Sequence, residues 1–300
     1  MQLVFLILAY KQPRQLARLV ERLDVGNAVI PLHVDAKTDD ASFFRSLDST
    51  LERENVHLVP RVKVQWGGFG HVEATLRGID LAFQVAPRFD YLGLMTEADY
   101  PIKPLGEFER KLAEQHGTCF IHHERLPRQG NDPSALQSSL GLGRIERRWF
   151  FWRGEWRCIP RAGARFPRKR KMPLGLVPHC GSSYWWLPRE ALEYSRQFLA
   201  KNPRYRRFFR RAFIPDESFF QSIFPNSSWR HRTVTDNMRF VDWTGVGRGP
   251  AILTSSDFPK LAATDAFFAR KFDEEVDSEV LDRIDSELLG IPNAPSVAQS

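Results

Sequence analysis

Near its start the chain reads LVFLILA, from Leu3 to Ala9, an unbroken run of apolar side chains. A strand with one face in water alternates apolar and polar residues, whereas a strand covered on both faces does not. The run therefore predicts a buried strand in the interior of a sheet. It has no basic residues before it and no cleavage site after it, and it is too short to span a membrane, so we interpret it as neither a leader nor an anchor.

Helix-like and strand-like patterns alternate after this run. Pro13 is expected to open a helix, because apolar residues follow at the spacing of one helical face, and His71 to Phe83 shows a second helical pattern. Ala28 to Val34 and Tyr91 to Met95 are strand-like. This alternation predicts an α/β fold with a mostly parallel central sheet flanked by helices.

The second half of the chain is less regular. Residues 125–177 show no clear period, whereas later segments predict a helix from Asp216 to Ile223 and a strand from Ala251 to Thr254. We predict a single domain over residues 1–291, in which residues 124–177 form a variable insertion, and a flexible tail over residues 292–300.

Missing motifs disfavour dinucleotide oxidoreductases, P-loop enzymes and α/β-hydrolases, and the composition narrows the partners. Three scattered cysteines do not predict a disulfide framework or a zinc site, and they suit a reducing cytoplasm. The chain has no dinucleotide fingerprint after its first strand, no phosphate-binding Walker loop, no GxSxG elbow and no HExxH motif. A net charge of +7 is compatible with a nucleotide, a nucleic acid or an anionic membrane surface as partner.

Acidic residues follow two of the predicted strands. Asp35 ends the second strand, where a carboxylate can bind a ribose hydroxyl or the uracil N–H, or can cap the next helix. Glu97 and Asp99 follow the strand from Tyr91 to Met95 with the spacing that holds a divalent ion in many glycosyltransferases. Asp99 runs directly into Tyr100-Pro101, so a turn cap or a substrate contact is the favoured role, and a metal ion is not.

Glu217 is the strongest candidate for a catalytic base. It lies in Pro215-Asp216-Glu217, the expected first turn of a helix, where its carboxylate either interacts with the helix dipole or serves as a fixed general base. One carboxylate is enough for a single inverting displacement at a sugar carbon. Arg248, among glycines, and Lys271 are either solvated charges or groups that neutralise a departing diphosphate.

Together these motifs resemble the core-2/I-branching β-1,6-N-acetylglucosaminyltransferase and peptide O-xylosyltransferase family. The resemblance covers most of the chain and follows the family's motif order. Its main elements are His33-Val34-Asp35-Ala36-Lys37, Trp66-Gly67-Gly68-Phe69, Asp99-Tyr100-Pro101-Ile102-Lys103, Gly181-Ser182-Ser183-Tyr184, Pro215-Asp216-Glu217-Ser218, Arg239-Phe240-Val241-Asp242-Trp243 and Phe268-Ala269-Arg270-Lys271-Phe272-Asp273.

The resemblance implies a GT-A type glycosyltransferase fold, an inverting mechanism and a UDP-sugar donor. By position, Glu217 matches the family's base and Asp35 its nucleoside-binding acid. Arg248 and Lys271 match the pair that stabilises the diphosphate without a metal ion. The resemblance therefore implies no required cofactor, with UDP-GlcNAc as the first donor and UDP-xylose as the second.

The resemblance also suggests where the acceptor binds. Trp243 matches an aromatic residue that stacks on the acceptor sugar, and Glu146, Arg147 and Arg148 are further candidates within the insertion. The link from Trp243 to Arg248 is short, and the disulfides and anchor of the animal enzymes are absent. These departures suggest a bacterial, cytoplasmic relative that acts on a glycan or a lipid-linked oligosaccharide in surface polysaccharide synthesis.

Two basic segments leave a choice of partner open. Residues 206–211 and 165–171 interleave positive charge with aromatic residues or proline. They form a solvated basic face or contact an anionic membrane at its inner surface. Nucleic-acid binding is disfavoured, because no nucleic-acid module accompanies the charge. A non-catalytic protein of the same fold that binds sugar nucleotide or glycan is the alternative to the enzyme.

Overall fold

Strands and helices alternate through the first half of the chain in a computed structural model, which describes residues 1–38, 41–126, 135–159, 169–244 and 249–292. The strands are β1 (Leu3–Ala9), β2 (Ile30–Val34), β3 (Val56–Leu58), β4 (Tyr91–Thr96), β5 (Asp99–Pro101), β6 (Cys119–Ile121), β7 (Glu124–Arg125), β8 (Arg148–Trp152), β9 (Glu155–Ile159), β10 (His179–Cys180), β11 (Trp185–Pro188), β12 (Thr233–Val234), β13 (Arg239–Val241) and β14 (Phe268–Arg270). The helices are α1 (Pro13–Leu23), α2 (Ala41–Arg45), α3 (Asp48–Leu51), α4 (Gly70–Val85), α5 (Leu105–Glu114), α6 (Ala135–Glu146), α7 (Arg189–Lys201), α8 (Pro203–Phe209), α9 (Phe258–Ala263) and α10 (Glu279–Arg283).

The central sheet has seven strands in the order β12-β6-β11-β4-β1-β2-β3. β1 pairs in parallel with β2 and β4, whereas β11 runs antiparallel to both of its neighbours. The predicted α/β class and the mostly parallel sheet are therefore confirmed. All seven residues of β1 are buried, as its unbroken apolar run predicted.

Helices cover the two faces of β1. Phe5 and Ile7 belong to one core cluster with the apolar face of α1, and Leu6 belongs to a second cluster with the buried face of α4. A Cβ atom at Gly78 of α4 would lie 2.2 Å from the Leu6 side chain. Glycine at this position therefore allows α4 to lie directly against the sheet.

A smaller sheet extends the carboxyl end of β4. Its order is β13-β14-β5, and β5 pairs antiparallel with β14 so that Asp99 lies opposite Arg270. This pairing carries the last third of the chain back to the point where β1 and β4 end, which is where ligands bind in sheets of this kind.

Two predicted elements in the second half are wrong. Residues 216–223 form a short 3₁₀ turn at Pro215–Glu217 followed by further turns, not a helix. Polar side chains there bond to a neighbouring segment: Gln221 Nε2 donates to the Ser182 carbonyl and Ser222 Oγ accepts from the His179 amide. Residues 251–254 form no strand.

The predicted insertion is more regular than its sequence indicated. Within the described residues it contains α6 and the antiparallel hairpin β8–β9. Residues 293–300, the greater part of the predicted tail, lie outside the described residues, and the single-domain boundary at residue 291 remains a prediction.

The C-terminal helical segment pairs with the first helix through Asp282, 2.8 Å from Arg18 Nη1, and through the buried carboxylate of Asp285. Asp285 lies in a π-helical turn, Ile284–Leu288, directly after α10. It accepts hydrogen bonds from Arg18 Nη2 at 2.6 Å, Arg22 Nη2 at 2.8 Å and the Tyr100 hydroxyl at 2.8 Å.

In the described part of the chain, no helix has both the length and the hydrophobicity to cross a bilayer.

Candidate active site

Three polar segments meet at the carboxyl edge of the central sheet. β1 lies between β2 and β4, so Lys11 after β1 is flanked by Asp35 after β2 and Glu97 after β4. The predicted crevice at this edge therefore contains both acidic segments that the sequence singled out.

Asp35 is buried and shapes a turn. Its Oδ1 atom accepts hydrogen bonds from the Lys37 amide at 2.9 Å and the Val64 amide at 3.2 Å. The ammonium of Lys37 lies 3.8 Å from Oδ2. Asp35 does not cap a helix, because α2 begins only at Ala41. Its Oδ2 atom retains capacity to accept a hydrogen bond from a ligand.

Asp99 is fully buried, with hydrogen bonds to one of its oxygens and ion pairs to the other. Its Oδ2 atom accepts hydrogen bonds from the amide of Thr96 at 2.7 Å and from its hydroxyl at 2.9 Å. Its Oδ1 atom lies 2.7 Å from Arg239 Nε and 3.7 Å from Arg270 Nε. The two guanidinium groups lie over the ring of Tyr184, at 4.8 and 4.0 Å from its centre. These partners leave Asp99 as an anchor for two buried cations.

Glu97 is equally buried but has no such partners. Its side chain is 1% exposed, and neither carboxyl oxygen is hydrogen-bonded to another residue in the described ranges. Burial raises the pKa of Glu97 to about 7; Lys11 and Arg270 oppose this rise and Asp99 adds to it. Glu97 and Asp99, which are separated by one residue, therefore have opposite environments.

Lys271 supplies positive charge beside these acids. Its side chain has no ion pair within the described residues, and burial, followed by the charges of Lys11 and Arg270, lowers its pKa. Lys11 is paired with Asp273, with 3.1 Å between Nζ and Oδ2. Arg248, the other predicted diphosphate ligand, lies outside the described residues.

Glu217 occupies a turn that neighbouring segments hold in place. Ile214, immediately before the turn, has a left-handed backbone, and its amide donates to the Gly67 carbonyl at 2.8 Å. The carbonyl of Glu217 accepts from the amide of Gly181 at 2.8 Å. Neighbouring segments therefore fix the backbone that carries the carboxylate.

Within the described ranges, the carboxylate of Glu217 has one cationic partner, and it remains accessible. Arg144 Nη1 donates to its Oε2 atom, and the side chain is 33% exposed. Burial raises the pKa of Glu217 to about 7; the charge of Arg144 opposes the rise, and Asp216 adds to it. A carboxyl group that titrates near neutral pH and reaches solvent can accept a proton from a bound hydroxyl.

Asp216 faces a different set of residues. The Ser183 hydroxyl donates to its Oδ2 atom at 2.6 Å, and its charge opposes the burial that lowers the pKa of His71 in the first turn of α4. Arg144 and Ser183 were not predicted as site residues. Ser183 lay within a family motif, but nothing in the aperiodic segment indicated Arg144.

The predicted acceptor residues lie in separate surroundings. Trp243 is 69% exposed, and Arg148 is exposed on β8. Glu146 pairs with Lys169, with 2.9 Å between Oε2 and Nζ. Glu146 also lines an open cavity of about 310 Å³, together with Leu142, Ile145, Arg170, Lys171, Met172, Gly175, Leu176, Pro178 and Phe208.

The hairpin β8–β9 packs against the segment that leads into the Glu217 turn. Trp149 stacks on Phe213 with ring centres 4.8 Å apart, and Trp156 contacts the same ring at 5.4 Å. Trp156 Nε1 also donates to the Trp66 carbonyl at 2.7 Å. Aromatic residues of the insertion thus form a wall beside the candidate base, an arrangement suited to a sugar ring.

The mostly parallel sheet with polar groups at its carboxyl edge fits a GT-A type glycosyltransferase fold. The sequence model of the Core-2/I-Branching enzyme family matches residues 3–262 of this chain. The chain therefore belongs to the Core-2/I-Branching enzyme family, as its motif order indicated.

Curated relatives include animal xylosyltransferases. Xylosyltransferase 2 of Rattus norvegicus is 27% identical over 310 residues, which cover 95% of this chain and 33% of the rat protein. Xylosyltransferase oxt of Drosophila pseudoobscura pseudoobscura is 24% identical over 304 residues, with 92% and 32% covered. The chain thus spans about a third of the length of these relatives. Among solved structures, S. aureus TarS aligns with 45% of this chain and 24% of its own at a TM-score of 0.32 and 13% identity.

Proposed function

We propose that this protein is an inverting glycosyltransferase that moves a sugar from a UDP-sugar to a glycan hydroxyl, with Glu217 as the general base. The observation that carries the proposal is the environment of Glu217: a rigid turn, one arginine partner and a pKa of about 7. In its ionised form Glu217 accepts the proton of the acceptor hydroxyl while that oxygen attacks C1 of the donor sugar. The bond from C1 to the diphosphate breaks in the same step, and UDP leaves.

The leaving diphosphate needs positive charge. Lys271 supports this role because it lies at the carboxyl edge of the sheet without an ion pair among the described residues. We assign Arg248 to the same role on its place in the sequence. Asp35 is assigned to the nucleoside, through the Oδ2 atom that its turn does not use.

The proposed reaction needs no metal ion. Asp99, one of the two acids whose spacing suggested a metal site, already binds two arginines and Thr96. Within the described ranges, no group of three or more acidic, histidine or cysteine side chains is placed to hold a metal ion. These contacts favour diphosphate stabilisation by side chains over stabilisation by manganese or magnesium.

For the donor we retain UDP-GlcNAc and UDP-xylose. Sequence analysis put UDP-GlcNAc first. Because the matched relatives are named xylosyltransferases, we now put UDP-xylose first and UDP-GlcNAc second. The acceptor we propose is a glycan or lipid-linked oligosaccharide of a bacterial surface polysaccharide. Its sugar would stack on exposed aromatic residues such as Trp243, with Glu146 and Arg148 as polar contacts.

Calorimetric titration tests the donor site. Micromolar binding of UDP-xylose or UDP-GlcNAc that survives EDTA is the expected result, and Lys271→Ala or Arg248→Ala should weaken UDP binding by about tenfold or more. Binding that requires manganese would replace the metal-free scheme. If neither UDP nor the sugar nucleotides bind, the donor class is wrong.

The hairpin β8–β9 supports a peripheral membrane location at the inner leaflet. Trp152 is 55% exposed near the hairpin tip, beside the exposed Arg153, whereas Arg157 of β9 pairs with Glu155. Aromatic and cationic side chains together favour the headgroup region of an anionic bilayer. Binding to phosphatidylserine vesicles that falls steeply with salt is expected; equal binding to neutral phosphatidylcholine vesicles would contradict it.

A further inference from the structure

The carboxyl group of Glu97 is unlike the other buried acids of the described chain. Asp35, Asp99, Asp242 and Asp285 each bind at least one donor or cation through a side-chain oxygen. Neither oxygen of Glu97 is hydrogen-bonded to another residue in the same ranges, and its own backbone amide offsets part of the effect of burial. A buried polar group without partners costs free energy, and such groups in native proteins usually have a functional explanation.

The backbone of Glu97 is fixed, so the unpaired carboxyl does not reflect a loose segment. Its carbonyl accepts a hydrogen bond from Gln15 Nε2 at 2.7 Å, and the next carbonyl, of Ala98, accepts from the Phe272 amide at 2.9 Å. Gln15 also accepts from the Glu274 amide at 2.8 Å. Helix α1 and the segment after β14 thus hold Glu97 at the end of β4.

The charged neighbours of Glu97 do not satisfy it. Asp99 is two residues away, Lys11 comes from the end of β1, and Arg270 and Lys271 come from the end of β14. Arg270 is engaged by Asp99 and Tyr184, and Lys11 by Asp273. Lys271 is the group that the proposed function assigns to the diphosphate, so Glu97 lies beside the expected position of that diphosphate.

The chemistry of Glu97 selects its ligand. An ionised carboxylate at this point would repel the phosphates, whereas a protonated carboxyl group donates one hydrogen bond and accepts another. A sugar hydroxyl also donates one and accepts one, so the two groups are complementary. The sugar follows the diphosphate in the donor, which brings its hydroxyls within reach of this edge of the sheet.

We propose that Glu97 is a donor-specificity residue that binds a hydroxyl group of the transferred sugar. This inference rests on the proposed function, and it adds a residue for which neither spacing nor resemblance predicted this role. Glu97 contributes to the recognition of the sugar and not to the recognition of the nucleotide. The quantity that reports its contribution is therefore the ratio of the Kd of UDP to the Kd of the UDP-sugar.

The test compares Glu97→Ala and Glu97→Gln with the unmodified chain, by calorimetry with UDP, UDP-xylose and UDP-GlcNAc at pH 6. Glu97→Ala should weaken the preferred UDP-sugar about tenfold and leave the Kd of UDP within about twofold, because one hydrogen bond to the sugar is lost. Glu97→Gln should restore most of the affinity, since an amide also donates and accepts.

A pH series adds a readout that a structural role would not change. In the unmodified chain the preference for UDP-sugar over UDP should decline as pH rises through about 7, where Glu97 ionises. In Glu97→Gln the preference should stay constant, because an amide does not ionise in this pH range. The charged neighbours Lys11, Arg270, Lys271 and Asp99 are present in both proteins, so the comparison isolates Glu97.

Three outcomes would overturn the inference. If Glu97→Ala weakens UDP and UDP-sugar equally, Glu97 serves the nucleotide or the fold, and if it weakens neither, the carboxyl contacts no donor group. Either result leaves the proposed function intact. If the unmodified chain binds no UDP compound, the proposed function fails and this inference fails with it.

Discussion

Asp99 and Glu217 each pair with arginine, but the two pairings have opposite results. On the sheet side, Asp99 lies fully buried with Arg239 and Arg270 and accepts two further hydrogen bonds from Thr96. In the turn at Pro215–Glu217, Glu217 has one arginine partner among the described residues and is one-third exposed. Burial raises the pKa of Glu217 to about 7, a rise that its single arginine does not cancel. Full pairing thus produces an anchor, and partial pairing produces a group able to exchange a proton.

The largest effect should come from removing the exchangeable proton site. Glu217→Gln keeps the size and a hydrogen-bonding oxygen for Arg144 but cannot accept the acceptor's proton, so we expect kcat to fall by about 10² to 10⁴ while donor affinity is retained. Steady-state kinetics with calorimetry measure both quantities. Glu193→Gln, in a partly exposed pair with Arg189, is the matched control and should keep its rate. Turnover of Glu217→Gln at the control rate would remove Glu217 from its role.

Breaking the anchor should instead reduce stability. Asp99→Asn leaves the fully buried Arg239 without its anion, and we expect the free energy of unfolding to fall by about 3–5 kcal/mol. Urea unfolding measures this loss. The control is Asp80→Asn, which breaks an exposed ion pair with Arg196 and should cost less than about 1 kcal/mol. Equal losses in the two variants would show that Asp99 is not an anchor.

The unpaired carboxyl group of Glu97 should make the free energy of unfolding depend on pH. Because burial raises its pKa from 4.5 to about 7, the folded state binds more protons than the unfolded state, and stability is lost as pH rises between these values. Glu97→Gln removes this dependence. It should therefore be more stable than the unmodified chain by roughly 3 kcal/mol at pH 8, with no such gain at pH 4.5. A stability difference that does not change with pH would contradict the raised pKa.

The smallest effect concerns the single partner of the base. The charge of Arg144 lowers the pKa of Glu217, so Arg144→Gln should raise that pKa and move the rising limb of kcat/KM to higher pH, from its expected position near pH 7. The expected cost is a fall of a few fold at pH 6.5 that largely disappears at high pH. Arg153→Gln, at the exposed hairpin tip, should leave the limb in place. An unshifted limb in Arg144→Gln would separate this arginine from the base.

Sequence reasoning located the sheet well and the ion pairs poorly. β1, α1 and α4 follow from hydrophobic period alone, and the end of a parallel strand fixes where Asp35 and Glu97 lie. The family motifs directed attention to Glu217. No periodicity reports that Arg144 lies against a residue 73 positions later, because such pairs depend on tertiary structure.

The errors also have identifiable causes. The residues after Glu217 carry the apolar spacing of a helix, yet the buried polar side chains of Gln221 and Ser222 bond to the segment at 179–182. The hairpin β8–β9 was not predicted because aromatic residues occupy both faces of β8, so only the short β9 shows the alternation of a strand. Arg248 lies outside the described residues, and its role stays a prediction.

The contact between Asp285 and the first helix has a consequence for synthesis of the chain. Arg18 and Arg22 leave the ribosome before their shared anion, which follows 267 and 263 residues later. Sheet pairing of β1 with β2 can begin on the nascent chain, but Arg18 and Arg22 of α1 lack their buried anion until residue 285 has emerged. This late closure makes native topology depend on a long-range contact, a feature that slows folding and prolongs the exposure of early hydrophobic segments to chaperones.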